Sequence, residues 1–331
     1  MHTIALIYRK RKNGYSIENL FKPFDNLAYI KRVELPKKLN SFTSFLIIFI
    51  FLLKVKQKII HITGDVQFVA FLLFWKTSIL TIHDLNYLES LNGFKRWIYA
   101  FIWFYLPLLC CNKIVVISPF TKKQLQKHFN VSEDKIEIIP NFYYPYEFLD
   151  NKNTNDDFFR ILSIGTQKNK NLIRLISAIE KIENVKLTLV GNQKIETLNK
   201  LKSSEINYVL KSNLSIAELE IEYNLADVLF YASTKEGFGL PILEAQSSGL
   251  PVITSNTTSM PYVAGDAAIL INPYSLDEII TSIVSLKNNK AQRADLQRKG
   301  FANVKRFTKE NYIESYKKIH ESFIKKILKS I

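Results

Sequence analysis

The sequence predicts an α/β protein made of two parallel-sheet domains in series. Three observations carry that reading. Short β-branched runs alternate with helical stretches, the pattern of a parallel sheet with crossover helices. The alternation breaks once, at the polar stretch Asp150-Asn-Lys-Asn-Thr-Asn-Asp-Asp157, and then restarts. A length of 331 residues with 47% hydrophobic content gives room for two cores.

In the first half the runs are Ile4 to Tyr8, Lys58 to Ile62, Ser78 to Ile82, Lys113 to Ile117 and Lys135 to Ile139. After the polar stretch come Arg160 to Ile164, Lys186 to Val190, Ile206 to Leu210, Asp227 to Tyr231, Pro251 to Thr254 and Ala267 to Ile271. Each set describes a Rossmann-like domain, and such sheets bind ligands at the carboxyl ends of their strands. The expected site is therefore a cleft across which the two domains face. From Lys309 to Leu328, Tyr312, Tyr316, Ile319, Phe323 and Ile327 recur at helical spacing, predicting an amphipathic C-terminal helix that packs back on the body. The predicted division is 1–145, 146–308 and this helix, 309–331.

Charge narrows the partners without choosing among them. The 45 Lys and Arg against 30 Asp and Glu give +15, with 20 basic and 11 acidic residues in the first 150. A basic excess suits nucleic acid, an anionic membrane surface or an anionic substrate. The two cysteines, Cys110 and Cys111, are adjacent in an apolar run, which suits a reducing cytoplasm. The longest apolar runs, Phe42 to Leu53 and Trp97 to Cys111, fall short of the roughly 20 residues of a spanning helix. Two readings of these runs stand. They are buried crossover helices, or, flanked by Lys54, Lys56, Lys58, Lys95 and Arg96, they face an anionic bilayer as a peripheral surface.

The most informative segment is Glu236-Gly-Phe-Gly-Leu-Pro-Ile-Leu-Glu244. A buried strand, Asp227 to Tyr231, runs into it, and Pro241 opens a helix that ends near Gly249. Two glycines let the backbone approach a ligand, and the helix start presents N–H groups and a positive dipole end. A diphosphate would be held there without metal. Glu236 at the strand exit and Glu244 one turn into the helix address the loop from two sides, and carboxylates accept hydrogen bonds from the diols of a ribose or hexose.

These residues carry a resemblance. The run Glu236 to Thr254, EGFGLPILEAQSSGLPVIT, resembles the signature of family 4 glycosyltransferases of the GT-B fold, whose two glutamates have seven residues between them. Ser259-Met-Pro261, Ala264-Gly-Asp-Ala-Ala268 and the Lys-Asn segment Ser163 to Leu172 extend it over nearly the whole chain. The resemblance implies a hexosyltransferase of polysaccharide or lipopolysaccharide type that acts with retention and without metal. Its donor would be a nucleotide-diphosphate sugar and its acceptor a glycan or lipid-linked sugar. It implies Glu236 on the hydroxyls of the transferred sugar, Glu244 on the ribose, and the amides of Gly237, Phe238, Gly239 and Leu240 along sugar and diphosphate. Lys170 would offset charge on the leaving diphosphate.

Three departures accompany it. Thr166 stands after Gly165 where many relatives have arginine, Ser212 replaces a common glycine near the base site at Leu210, and Tyr262 replaces an acid. His83, at a strand exit in Thr-Ile-His-Asp84, matches a histidine that lies beside the donor sugar in the family, and His61 to Asp65 is a second, weaker exit. Gly14, after the first strand, is placed for a phosphate or acceptor loop. Ser215-Ile-Ala-Glu218 reads as a capping box. The alternatives are an epimerase of the same fold and a non-enzymatic basic binder. No nucleic-acid motif and no metal-ligand spacing are legible in the sequence.

Overall fold

Parallel pairing builds both halves of the chain. The computed structural model describes residues 3–10, 17–149 and 157–329. Gly14 lies outside them. The chain divides into two units, residues 1–142 with 309–331, and residues 143–308.

The first unit holds β1 (Ile4–Tyr8), β2 (Ile30–Glu34), β3 (Ile59–Ile62), β4 (Thr77–Ile82), β5 (Lys113–Val116) and β6 (Ile136–Ile138) in the order β2-β1-β3-β4-β5-β6. Every pairing is parallel. The sequence reading has five strands here; the structure adds β2, Ile-Lys-Arg-Val-Glu. An edge strand has little apolar surface to bury, so three of its five residues are charged and exposed, and the period-2 signal disappears.

Alternate residues of the central strands feed two cores. Ile7, Ile60, Ile62, Leu80 and Val116 pack with Ile48 and Leu52 of the Phe42–Leu53 helix, and with Phe104 and Leu108 further on. Ile4, Leu6, Ile59, Ile79 and Val115 pack on the other side with Phe21, Phe24 and the C-terminal helix residues Tyr312, Tyr316 and Ile319. The Lys309–Lys329 helix thus completes the first sheet. A buried polar chain adds to it: His61 Nδ1 lies 3.0 Å from His320 Nε2, His61 Nε2 lies 2.9 Å from Thr81 Oγ1, and Tyr316 OH is 3.2 Å from the same hydroxyl. Burial holds His61 well below its ordinary range and takes His320 to about 3.

The second unit holds β7 (Phe159–Ile164), β8 (Val185–Val190), β9 (Asn207–Lys211), β10 (Val228–Tyr231), β11 (Val252–Ser255) and β12 (Ile269–Ile271), ordered β12-β11-β10-β7-β8-β9. Its strands are also parallel throughout. Leu187, Leu189, Phe230 and Ile253 meet Leu175 and Ile176 of the Leu172–Ile179 helix in its core. The chain order reverses between β10 and β7, which are neighbours, so the loops leaving those two strands emerge side by side. In open parallel sheets that reversal is where ligands gather.

Candidate functional site

Two strand exits in the second unit are bonded into one cluster. After β7, Gly165 takes φ +106°, and a Cβ there would stand 2.7 Å from Cε of Lys170. The missing side chain is what lets the lysine stem lie across the turn. The turn Lys168–Lys170 is then clipped to the exit of β10: Thr234 N–H donates to the Asn169 carbonyl at 2.8 Å, and Asn169 Nδ2 donates to the Lys235 carbonyl at 2.7 Å. Asn171, left-handed at φ 62°, is buried and donates from Nδ2 to the Pro273 carbonyl at 2.6 Å.

The clip places three donors on one oxygen. Glu236 Oε1 accepts from Lys170 Nζ, from Tyr231 OH at 3.1 Å and from Asn169 Nδ2 at 3.2 Å. Lys170 also donates to Tyr231 OH at 2.7 Å and sits 4.6 Å above that ring. Lys170 and Glu236 keep 15% of their side-chain surface in solvent, enough for a ligand to reach both. Burial, then the Glu236 charge, drive the Tyr231 hydroxyl well above its ordinary range, so it acts here as a neutral donor.

The loop that follows is fixed from behind. Gly237, Phe238 and Gly239 are buried, and Gly239 has φ +109° at the start of the Leu240–Ser247 helix, which carries Pro241 in its first turn. Ser259 Oγ donates to the Phe238 carbonyl at 2.8 Å, and the Phe238 ring packs edge-on to Phe307 at 5.9 Å. A glycine-rich turn entering a helix presents first-turn N–H groups that have no intrahelical acceptor. On that helix Glu244 has a different setting. Its Oε2 accepts from Tyr223 OH at 2.7 Å, and burial raises its carboxyl above the usual range against the lowering effect of that bond.

The structure brings Gly165, Lys170, Glu236 and the Gly237–Leu240 loop together. Thr166 is one residue away, its methyl filling the space that a Cβ on Gly191 would occupy at 2.6 Å, and it lines a cavity of about 400 Å3 with Lys168 and Arg174. Leu210 stands apart, 42% exposed on edge strand β9. Sequence reasoning missed Tyr231, Tyr223 and Asn169 as partners of the two glutamates. Only the strand-end position of Tyr231 was a signal, since a buried Tyr ordinarily needs a partner for its hydroxyl.

In the first unit His83 follows β4. Its Nε2 lies 2.8 Å from the Thr63 carbonyl, which can only accept, so Nε2 carries the proton. Burial lowers its pKa, and the neutral ring keeps Nδ1 as an acceptor. Gly64, at φ +130°, makes room for it: a Cβ would stand 2.5 Å from His83 Cδ2. The neighbouring exit is corrected in one respect. His61 is fully buried against the C-terminal helix, so Asp65, held by Arg9, is the exposed residue there.

A cation, neutral hydroxyl donors and backbone N–H groups around two carboxylates suit a ligand that is both anionic and rich in hydroxyls. Comparison with known proteins gives that chemistry a family. A model described as "Glycosyltransferase Family 4" matches residues 3–145, and one described as "Glycosyl transferases group 1" matches residues 147–302. The chain belongs to the family 4 glycosyltransferases of the GT-B fold. Among curated proteins it is 25% identical over 201 residues to the O-antigen chain mannosyltransferase RfbU of Salmonella typhimurium, covering 59% of this chain and 56% of that protein. It is 42% identical over 94 residues to an O-antigen chain mannosyltransferase B of Escherichia coli, covering 28% of this chain and 25% of that protein. The chain thus aligns with about half the length of the first relative and a quarter of the second. Among solved structures, sucrose-phosphate synthase from Thermosynechococcus elongatus superposes with a TM-score of 0.78 at 16% identity, over 98% of this chain and 99% of that one. An Anabaena protein, HepE, in complex with UDP and glucose gives 0.78 at 14% identity, over 97% and 100%. At such identities the structures speak to fold alone.

Proposed function

We propose that this protein transfers a hexose, with retention and without metal, from a nucleotide-diphosphate sugar to a glycan or lipid-linked acceptor of a surface polysaccharide. The observation that supports it most is the convergence of Lys170, Tyr231 and Asn169 on Glu236 beside the Gly237–Leu240 loop. Glu236 takes the hydroxyls of the transferred sugar, and Glu244 those of the ribose. Lys170 and the loop amides meet the charge that grows on the leaving diphosphate, where fixed donors contribute most. The acceptor hydroxyl attacks the anomeric carbon as the bond to the diphosphate breaks. The bonding pair leaves on the diphosphate oxygen, which takes the acceptor proton on the same face. His83, whose ring is held neutral, is proposed as a further catalytic residue, contributed by the first unit.

Cys110 and Cys111 are both free thiols, with Cys111 pushed up to about 12 by burial, and they fit a reducing cytoplasm. The test is transfer of label from a panel of nucleotide sugars, with GDP-mannose first because the curated relatives are named mannosyltransferases. The assay is run with and without chelator. Labelled product in both arms, lost in Glu236→Ala, supports the reading. A new free nucleotide sugar formed without acceptor would make the protein an epimerase instead, and loss of product with chelator would overturn metal independence.

A further inference from the structure

We infer that one helical face of the first unit docks on an anionic lipid bilayer. The inference is independent of the transfer chemistry. It starts from the layer that covers one side of the first sheet. The Phe42–Leu53 helix buries Ile48 and Leu52 in that layer, and the helix from Gly93 to Cys110 buries Phe104 and Leu108 in the same core. Their outward faces are apolar as well. Phe42 is 75% exposed, Ile50 55% and Leu53 54% on the first helix.

On the second helix Phe94, Trp97, Phe101 and Tyr105 form an exposed ladder of nearly parallel rings, with centroids 6.0, 5.5 and 5.5 Å apart. Its opposite face is occupied, for Tyr99 stacks on Trp103, which packs on Phe68. A π-helical stretch, Phe101–Tyr105, in which Leu106 N–H donates to the Phe101 carbonyl, precedes Pro107, which has no N–H to donate. The ladder is therefore a face that the fold has not used, and contiguous exposed apolar surface of this kind marks an interaction site.

Charge selects the occupant. The first unit carries 26 Lys and Arg against 12 Asp and Glu, a net +14, while the second carries 19 against 18, a net +1. The asymmetry continues inside the first unit. From Leu35 to Gly64 there are five lysines and no acid, and from Ser90 to Ser132 five lysines, one arginine and no acid. Lys54, Lys56 and Lys58 are exposed just past the first helix, and Lys95 is exposed on the second. A second copy of the chain would bring +14 against +14, which opposes self-association through this face. Nucleic acid offers phosphate, and bases that can stack on the rings, but no bed for exposed Ile50 and Leu53. An anionic bilayer offers both, with aromatic rings settling at the headgroup level and lysines meeting lipid phosphates. Among the described residues no helix is long and apolar enough to cross a membrane, so the contact is one that lies in the surface plane.

The test is co-sedimentation of the whole protein with phosphatidylglycerol-rich vesicles and with pure phosphatidylcholine vesicles, at low and high salt. Tryptophan emission is followed in parallel. Binding to the anionic vesicles at low salt, falling with salt and accompanied by a blue shift, is expected. Trp97→Ser with Phe101→Ser removes the shift. Lys54→Gln with Lys56→Gln and Lys58→Gln weakens binding by about a hundredfold, since each near-surface cation contributes roughly fivefold. Both variants change exposed side chains, and an unchanged melting temperature shows that the fold is kept. Absence of binding to anionic vesicles at low salt overturns the inference. So does binding that neither variant alters, or a concentration-dependent dimer that Trp97→Ser with Phe101→Ser abolishes.

Discussion

Glu236 and Glu244 come from one motif, yet their surroundings differ in kind. Glu236 has a lysine, a tyrosine and an asparagine on a single oxygen and retains solvent contact. Glu244 has one neutral tyrosine and sits in surroundings that disfavour its charge. A paired carboxylate stabilises the loop that holds it, whereas a buried, unpaired one destabilises its helix until ligand hydroxyls reach it. In the proposed reading, Glu236 organises the site before ligand arrives, and Glu244, disfavoured in its charged form by burial, is relieved when ligand hydroxyls bind it.

The comparison is sharpened first by removing Glu236. Glu236→Gln should lower turnover about a hundredfold or more, the scale on which a single transition-state contact acts. Its melting temperature should also fall, because Lys170 loses its charge partner. Normal turnover in this variant would remove Glu236 from the site. A smaller effect is expected from Tyr231→Phe, which strips one donor from Glu236 and one acceptor from Lys170. A hydrogen bond to a charged group is worth about 1.5–3 kcal/mol, or roughly ten- to a hundredfold if the whole bond acts in the transition state. Single-turnover rates in this variant measure it, and an unchanged rate would make Tyr231 purely structural.

In the first unit, Gly64→Ala forces a Cβ toward His83 at a backbone angle that disfavours side chains. It should cost about 1–3 kcal/mol in stability and reduce turnover by displacing the ring. Denaturant titration with a turnover assay checks both, and unaltered values would show that His83 can move freely.

The remaining effect appears only at acid pH. His61 and His320 are held neutral in the folded unit, while the unfolded chain binds protons below its ordinary pKa of about 6.5. Stability should therefore fall as pH drops from 6.5 toward 3, with no contribution from this pair above 7. His320→Gln should flatten that slope in thermal unfolding between pH 7 and 4.5. An unchanged slope would place the acid sensitivity elsewhere.

How much of this was legible in the sequence follows from where the signals live. Strands buried on both faces, such as Ile79 to Ile82, are short runs rich in β-branched and apolar residues, so both sheets could be read; β2 escaped because an edge strand has no such need. The Glu236–Glu244 loop was legible because glycine, proline and acid positions obey local rules of turn and helix start. Tyr231, Tyr223 and Asn169 were not, since a tyrosine in a strand or helix looks like core until the chain places an acid opposite it. Tyr231 meets a lysine 61 positions away, and no periodicity reports that. Past Thr43 and Ser44 the Phe42 to Leu53 run is apolar all round, so its sequence could not say which half is buried. Only the packing of Ile48 and Leu52 separates the two faces.

Thermal unfolding with and without the nucleotide sugar that the donor panel identifies tests the account most directly, in the wild type, Glu236→Gln and Glu244→Gln. Glutamine at 244 keeps the Tyr223 hydrogen bond and removes a disfavoured charge. The apo Glu244→Gln protein should therefore melt about 2–4 °C higher than wild type for each kcal/mol relieved, and apo Glu236→Gln should melt lower. Ligand should stabilise the wild type and lose most of that effect in both variants. A Glu244→Gln protein that melts below wild type, or that keeps the full ligand shift, would contradict the division of roles between the two glutamates.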